Sequence, residues 1–177
     1  MENLPKTVNT QSVALAIYNL TPGTKAIDIR RQMLQLPEVA KSLSGVEKYI
    51  FAASTKMQIA DIDDGTLIAK TGQMFRFIAM DVGYIIPTNP EDWAYICTRL
   101  LDILKKYYSQ MTLADIKLAF ELATTGELDD YLPKDSQGNP DKKHYQQFNA
   151  DYFAKILNAY RRKQNGVIHK AYKLSLI

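Results

Sequence analysis

The tetrapeptide Asn89-Pro90-Glu91-Asp92 constrains this chain more than any other stretch. Asparagine suits the cap of a helix, proline its first residue, and two acids its positive end. Behind it, Trp93, Ile96, Leu100, Ile103, Leu104 and Tyr107 recur at spacings of three and four, an apolar stripe of one helix face. Lys105 and Lys106 near its end suit the negative pole.

Related signals recur along the chain. Thr24 precedes a helical stretch that should stop near Gln35, because Pro37 restricts Leu36. Pro37 then suits the first position of a new helix, which Gly45 interrupts. Val46 to about Ala60 fits a third, with Tyr49, Ile50, Ala53 and Met57 on one face. Asp61 to Gly65 is a turn by composition. Thr66 to Val82 is predicted helical, although Gly72 weakens it by about 1 kcal/mol relative to alanine. A strand pair turning at Lys70-Thr71-Gly72 is the competing reading. Thr112-Leu113-Ala114-Asp115 forms a capping box with Asp in place of Glu, and Gly126 closes the helix it opens. Between Glu127 and Gln147 the periodicity is lost, and Pro133, Asp135, Gly138, Asn139 and Pro140 mark a long loop. Asn149 caps a last helix along Tyr152, Phe153, Ile156, Leu157 and Tyr160, which Gly166 either ends or interrupts. The expected fold is all-α, a bundle of six to eight helices. A break near Pro87 to Pro90 suggests two helical subdomains, 1–87 and 88–177.

At 177 residues, 46% apolar and 23% charged, the chain has the composition of a soluble globular protein with a real core. The apolar run Val13 to Leu20 is too short for a signal peptide, and no run reaches the roughly 20 residues of a membrane span. With one cysteine, Cys97, an intramolecular disulfide is impossible, and a cytoplasmic location is expected.

Catalytic and metal-binding patterns are missing. One Cys with His144 and His169 cannot supply the usual four zinc ligands. Asp61 to Gly65 begins like a calcium loop, but its glycine falls one place early and position twelve is Gly72; from Asp135, position twelve is Gln146. There is no phosphate-binding glycine loop and no G-x-S-x-G. Cys97 sits beside the apolar stripe of the Trp93 helix and reads as a buried thiol. A non-enzymatic protein is expected, without cofactor or metal.

Charge is segregated. Asp115 to Asp141 holds seven acids and two bases, whereas Lys155 to Ile177 holds six bases and no acid. Arg161, Arg162, Lys163, Lys170 and Lys173, with Tyr160 and Tyr172 among them, are the candidate nucleic-acid contacts. A basic helix end that only answers its dipole, or that meets an acidic protein, gives the same pattern. Tyrosine favours interfaces, so Tyr131, Tyr145 and Phe148, in or beside the long loop, are the candidate protein contacts.

Two stretches, TLADIKLAFELA from Thr112 and YQQFNADYFAKILNAYRR from Tyr145, resemble a recurrent stretch in small helical proteins of phages and mobile elements of gut bacteria. The resemblance covers the C-terminal third. It implies a replication accessory of the helicase-loader or replisome-organiser kind, and it transfers no catalytic role. The expected function is therefore a phage-type adaptor that binds a protein partner, a replicative helicase on this resemblance, and DNA through its basic end. A self-assembling virion-associated protein and an inhibitor of a host enzyme are the alternatives.

Overall fold

Most of the described helices begin where a side chain can satisfy the free amides of a first turn. The computed structural model describes residues 26–176. Seven α-helices are present among them: α1 Ala26–Leu34, α2 Pro37–Ser42, α3 Gly45–Ala53, α4 Asp64–Asp81, α5 Pro90–Tyr107, α6 Leu113–Thr124 and α7 Ala150–Ser175. A 3-10 turn at Ile59–Asp61 precedes α4, and the described residues contain only isolated β-bridges, no sheet. The all-α expectation holds. Thr24 and the run Val13 to Leu20 lie outside the described residues.

Side-chain caps account for five of these starts, whereas α2 begins at Pro37 behind Leu36, which makes no side-chain cap bond. Ser44 and Glu47 form a reciprocal capping box at α3, with Glu47 N donating to Ser44 Oγ at 3.2 Å and Ser44 N to Glu47 Oε1 at 2.9 Å. Asp63 caps α4 by accepting from Thr66 N at 2.9 Å, which makes Asp61 to Gly65 a cap segment. Asn89 accepts from Glu91 N at 3.0 Å, and Asn149 from Tyr152 N at 3.1 Å. Thr112 and Asp115 complete a second box, with bonds of 2.9 and 3.0 Å. Asp115 is buried and also accepts the Tyr160 hydroxyl at 2.8 Å, so this cap ties α6 to α7. Gly166 is tolerated inside α7, which runs 26 residues. Thr66 to Val82 is helix, as preferred; Thr71 points its hydroxyl back to Leu67 O at 2.7 Å.

One helix is shorter than its periodicity suggests. α3 stops at Ala53, where the Ser54 and Thr55 hydroxyls bond Phe51 O and Ala52 O and compete with further helical turns. Its buried face is Ile50, Phe51 and Ala53; Tyr49 and Met57 are 69% and 57% exposed. Beyond it the chain straightens, and Gln58 bridges Thr112.

The chain divides into two compact units, and the division does not fall at Pro87. In its described part the smaller unit comprises residues 26–55 and 164–176. Ile27, Met33, Leu36, Val39, Ile50 and Phe51 form its core, and Lys170 Nζ meets Glu47 Oε1 at 2.9 Å. The larger unit is Lys56–Lys163. Its core is an aromatic cluster that binds both sides of the expected break. Tyr84 stacks on Phe148 at 5.1 Å, and Trp93 lies 5.8 Å from the same ring. Phe153 meets Phe148 at 5.0 Å, Phe120 at 4.7 Å and Phe75 at 5.6 Å. Residues 84–89 are thus a connection inside one unit.

The long loop after α6 has no helix or strand, yet it is anchored. Leu128 and Leu132 are buried, and Asp135 Oδ1 accepts from the amides of Gln137 and Asn139 at 2.9 Å each. Gly126 and Gly138 take positive φ of 85° and 82°, where a side chain would be strained.

Candidate functional site

The larger unit carries a groove of about 550 Å³ between α4 and α6. The geometry of the two helices follows from the bridge below them. Ile59 N donates to Met111 O at 2.8 Å and Ala60 N to Ser109 O at 2.9 Å, so the segments leading into α4 and α6 lie together. The C-terminal residues Asp81 and Thr124 meet again at a second cavity. The helices therefore run side by side in the same direction.

Met74, Phe77 and Ile78 from α4 and Leu113, Ala114 and Phe120 from α6 give the groove an apolar lining. Phe77 is 53% exposed, and Met80 beyond it 65%. Half-exposed aromatic and methionine side chains over a concave apolar surface mark an interaction site better than isolated exposed residues do. Lys70 and Lys117 stand toward the N-terminal part of the groove, Glu121 and Asp81 toward its C-terminal part. The dipoles of two parallel helices have the same sense. Between Lys70 and Asp81 the groove is about 16 Å long at 1.5 Å rise per residue, three helical turns.

The sequence points elsewhere, and its candidates fare unequally. Phe148 is a core residue, 2% exposed within the aromatic cluster, and offers no outward surface; this corrects its reading as a protein contact. Tyr145 is 60% exposed, but its hydroxyl donates to Asp141 Oδ1 at 3.0 Å and the Lys155 ammonium lies 5.2 Å from its ring. Tyr131 is half-buried beneath the Lys163 ammonium at 5.8 Å.

The five basic candidates fall in both units, Arg161 to Lys163 in the larger and Lys170 and Lys173 in the smaller. Two of them already have anionic partners. Lys163 donates to Glu127 O at 3.0 Å and lies 3.5 Å from its carboxylate, and Lys170 pairs with Glu47. Arg161, Arg162 and Lys173 are exposed and make no ion pair among the described residues; Arg161 rests over the Tyr108 ring at 5.6 Å.

Electrostatics elsewhere is structural. Burial raises the Asp141 carboxyl, but hydrogen bonds from Lys155 and Tyr145 outweigh it and hold the group below the usual carboxylate range. Burial likewise raises Glu47, and the Ser44 amide and Lys170 outweigh it, lowering the group overall. Burial pushes the Cys97 thiol up to about 11, against a smaller opposing effect of Arg76. Among the described residues no group of three or more His, Cys, Asp or Glu side chains could hold a metal ion. No described helix is long and apolar enough to cross a membrane.

No protein-family model matches the chain, and neither a curated protein nor a solved structure is similar to it.

A helix over Thr66 to Val82 does not by itself say which of its apolar residues are buried. Phe75 and Ile78 do face the core; Phe77 and Met80 face outward. The available signal was an α4 with more apolar residues than one face can hold.

Proposed function

We propose that this chain is a non-catalytic adaptor that holds an amphipathic helix of a partner protein in the groove between α4 and α6. The observation that carries this reading is the half-exposed Phe77 above an apolar groove three turns long. Helix-in-groove recognition uses apolar anchors at i, i+3 or i+4, and i+7, which matches that length. The charge gradient favours a helix running antiparallel to α4 and α6, with acids toward Lys70 and Lys117 and bases toward Asp81 and Glu121. A replicative helicase is the partner class that the sequence resemblance suggests.

The test is co-purification from cells that carry the gene. Phe77→Asp should lose a partner that the wild type and Tyr49→Asp, altered on an exposed residue of the other unit, both retain. Equal recovery with all three proteins would refute the groove as the docking site.

The exposed Arg161 and Arg162 of the larger unit favour an added contact with nucleic acid. If DNA is bound there, Arg161→Ala with Arg162→Ala lowers the slope of log affinity against log salt by about 2. An unchanged slope excludes these residues.

A further inference from the structure

The second cavity of the larger unit, about 450 Å³, opens where the C-terminal ends of α4 and α6 meet loop residues 142–146. It is lined by aromatic, cationic and anionic side chains. Tyr152 forms part of its wall and is 4% exposed, its ring packed edge-on against Phe153 at 6.2 Å. No protein group among the described residues hydrogen-bonds its hydroxyl, although buried phenols usually find a partner. The hydroxyl is not sealed in the core and remains accessible from the cavity. A donor held in an apolar wall, left over by the fold, is suited to a ligand acceptor.

The charges around it are divided. Lys142 and Lys143 stand on the loop side, and Lys142 is paired with Asp129 at 3.2 Å. Lys143 makes no ion pair among the described residues. From the helices come Asp81 and the C-terminal ends of α4 and α6, both favouring positive charge. The loop backbone is fixed in an uncommon conformation. Tyr145 and Gln146 take φ of 50° and 57°, left-handed values rare outside glycine. His144 holds that conformation at both ring nitrogens: Nε2 donates to Val82 O at 3.0 Å, and Nδ1 accepts from Gln146 N at 2.9 Å. The two bonds together place the ring proton on Nε2.

We propose that this cavity binds a small zwitterion of the amino-acid class. Its ammonium lies toward Asp81 and the helix ends, and its carboxylate toward Lys143 and the Tyr152 hydroxyl. The ligand's side chain rests against the rings of Tyr145, Tyr152 and His144. The volume is in the range of small-molecule sites and exceeds that of a single amino acid, so a large side chain fits. This site does not depend on the docking groove, although Asp81 and Thr124 border both.

The experiment is a titration of the ¹⁵N-labelled full chain with each of the twenty free amino acids, followed by amide chemical shifts. For the amino acid that binds, its methyl ester and its N-acetyl form are the control arms. The expected result is a saturable shift at Asp81, Val82 and Lys142 to Gln146 with at least one free amino acid. Binding should weaken at least tenfold when either charge of the ligand is blocked. It should also weaken at least tenfold in Tyr152→Phe, which removes only the unpartnered hydroxyl, and in Lys143→Gln on the protein surface. No shift at these amides with any of the twenty would overturn the proposal. So would equal binding of both blocked forms, or wild-type affinity in both variants.

Discussion

Truncating Phe148 to alanine separates a core residue from a surface anchor. Its ring is 2% exposed and lies within 5.0 to 5.8 Å of Phe153, Tyr84 and Trp93, which come from three different segments of the larger unit. Removing a buried phenylalanine costs about 3–5 kcal/mol, from lost transfer energy and the cavity left behind. The upper end applies here, because rigid rings on three sides cannot all collapse into the space. Domains have total stabilities of about 5–15 kcal/mol, so Phe148→Ala retains from about 0 to about 10 kcal/mol at room temperature. Trp93, the single tryptophan, lies 5.8 Å from the mutated ring and reports unfolding of this unit. In urea, with a slope of about 2 kcal/mol per molar, the fluorescence midpoint should fall by about 2–2.5 M. The more conservative Phe148→Leu should fall less. A midpoint within about 0.5 M of wild type for Phe148→Ala would refute the core assignment and restore Phe148 as a surface residue.

Three further outcomes follow from other parts of the molecule. Tyr160→Phe removes the 2.8 Å bond to buried Asp115 and should cost about 1–3 kcal/mol in urea denaturation, since the carboxylate loses a donor it cannot replace with water; an unchanged midpoint would contradict this. Cys97 is half-buried rather than fully buried, and with its thiol pushed up to about 11 it should be alkylated at pH 8 on the order of a hundredfold more slowly in the native protein than in urea; equal rates would contradict that partial burial. Asp141 is held below its ordinary range in the folded state, so it binds fewer protons there than when unfolded. Its contribution is present above about pH 4 and is lost as pH falls through the lowered value. Lys155→Gln should therefore lose less stability than wild type between pH 6 and pH 3, and parallel losses would refute the pairing.

The helix starts were legible because their physics is local. Asn89-Pro90, the Thr112 to Asp115 box and Asn149 each satisfy first-turn amides with side chains a few residues away, so a short window contains the whole interaction. The end of α3 was not legible. Ser54 and Thr55 stop it with their hydroxyls, and the following segment pairs with residues 109–112, far along the chain. The unit boundary failed for a similar reason: Pro87 and Pro90 mark a real turn, but Tyr84 and Trp93 on either side of it converge on Phe148. Phe148 itself was misread because a phenylalanine beside a loop looks the same in sequence whether it faces inward or outward. The basic end was visible as charge, whereas the pairing of Lys163 with Glu127 and of Lys170 with Glu47 spans 36 and 123 residues. Phe77 illustrates the same limit, since periodicity alone could not divide the apolar residues of α4 between core and groove.

The most direct measurement is photocrosslinking from the groove itself. A benzophenone side chain is placed at position 77, and in a second protein at position 95, where Tyr95 is 68% exposed on α5. Both are irradiated in cells that carry the gene, and the attached peptide is sequenced. Position 77 should capture one protein through a segment with apolar residues at i, i+3 or i+4, and i+7, and position 95 should not. Capture of that protein from position 95 alone, or of a segment without helical apolar spacing from position 77, would contradict the assignment of the groove to a partner helix.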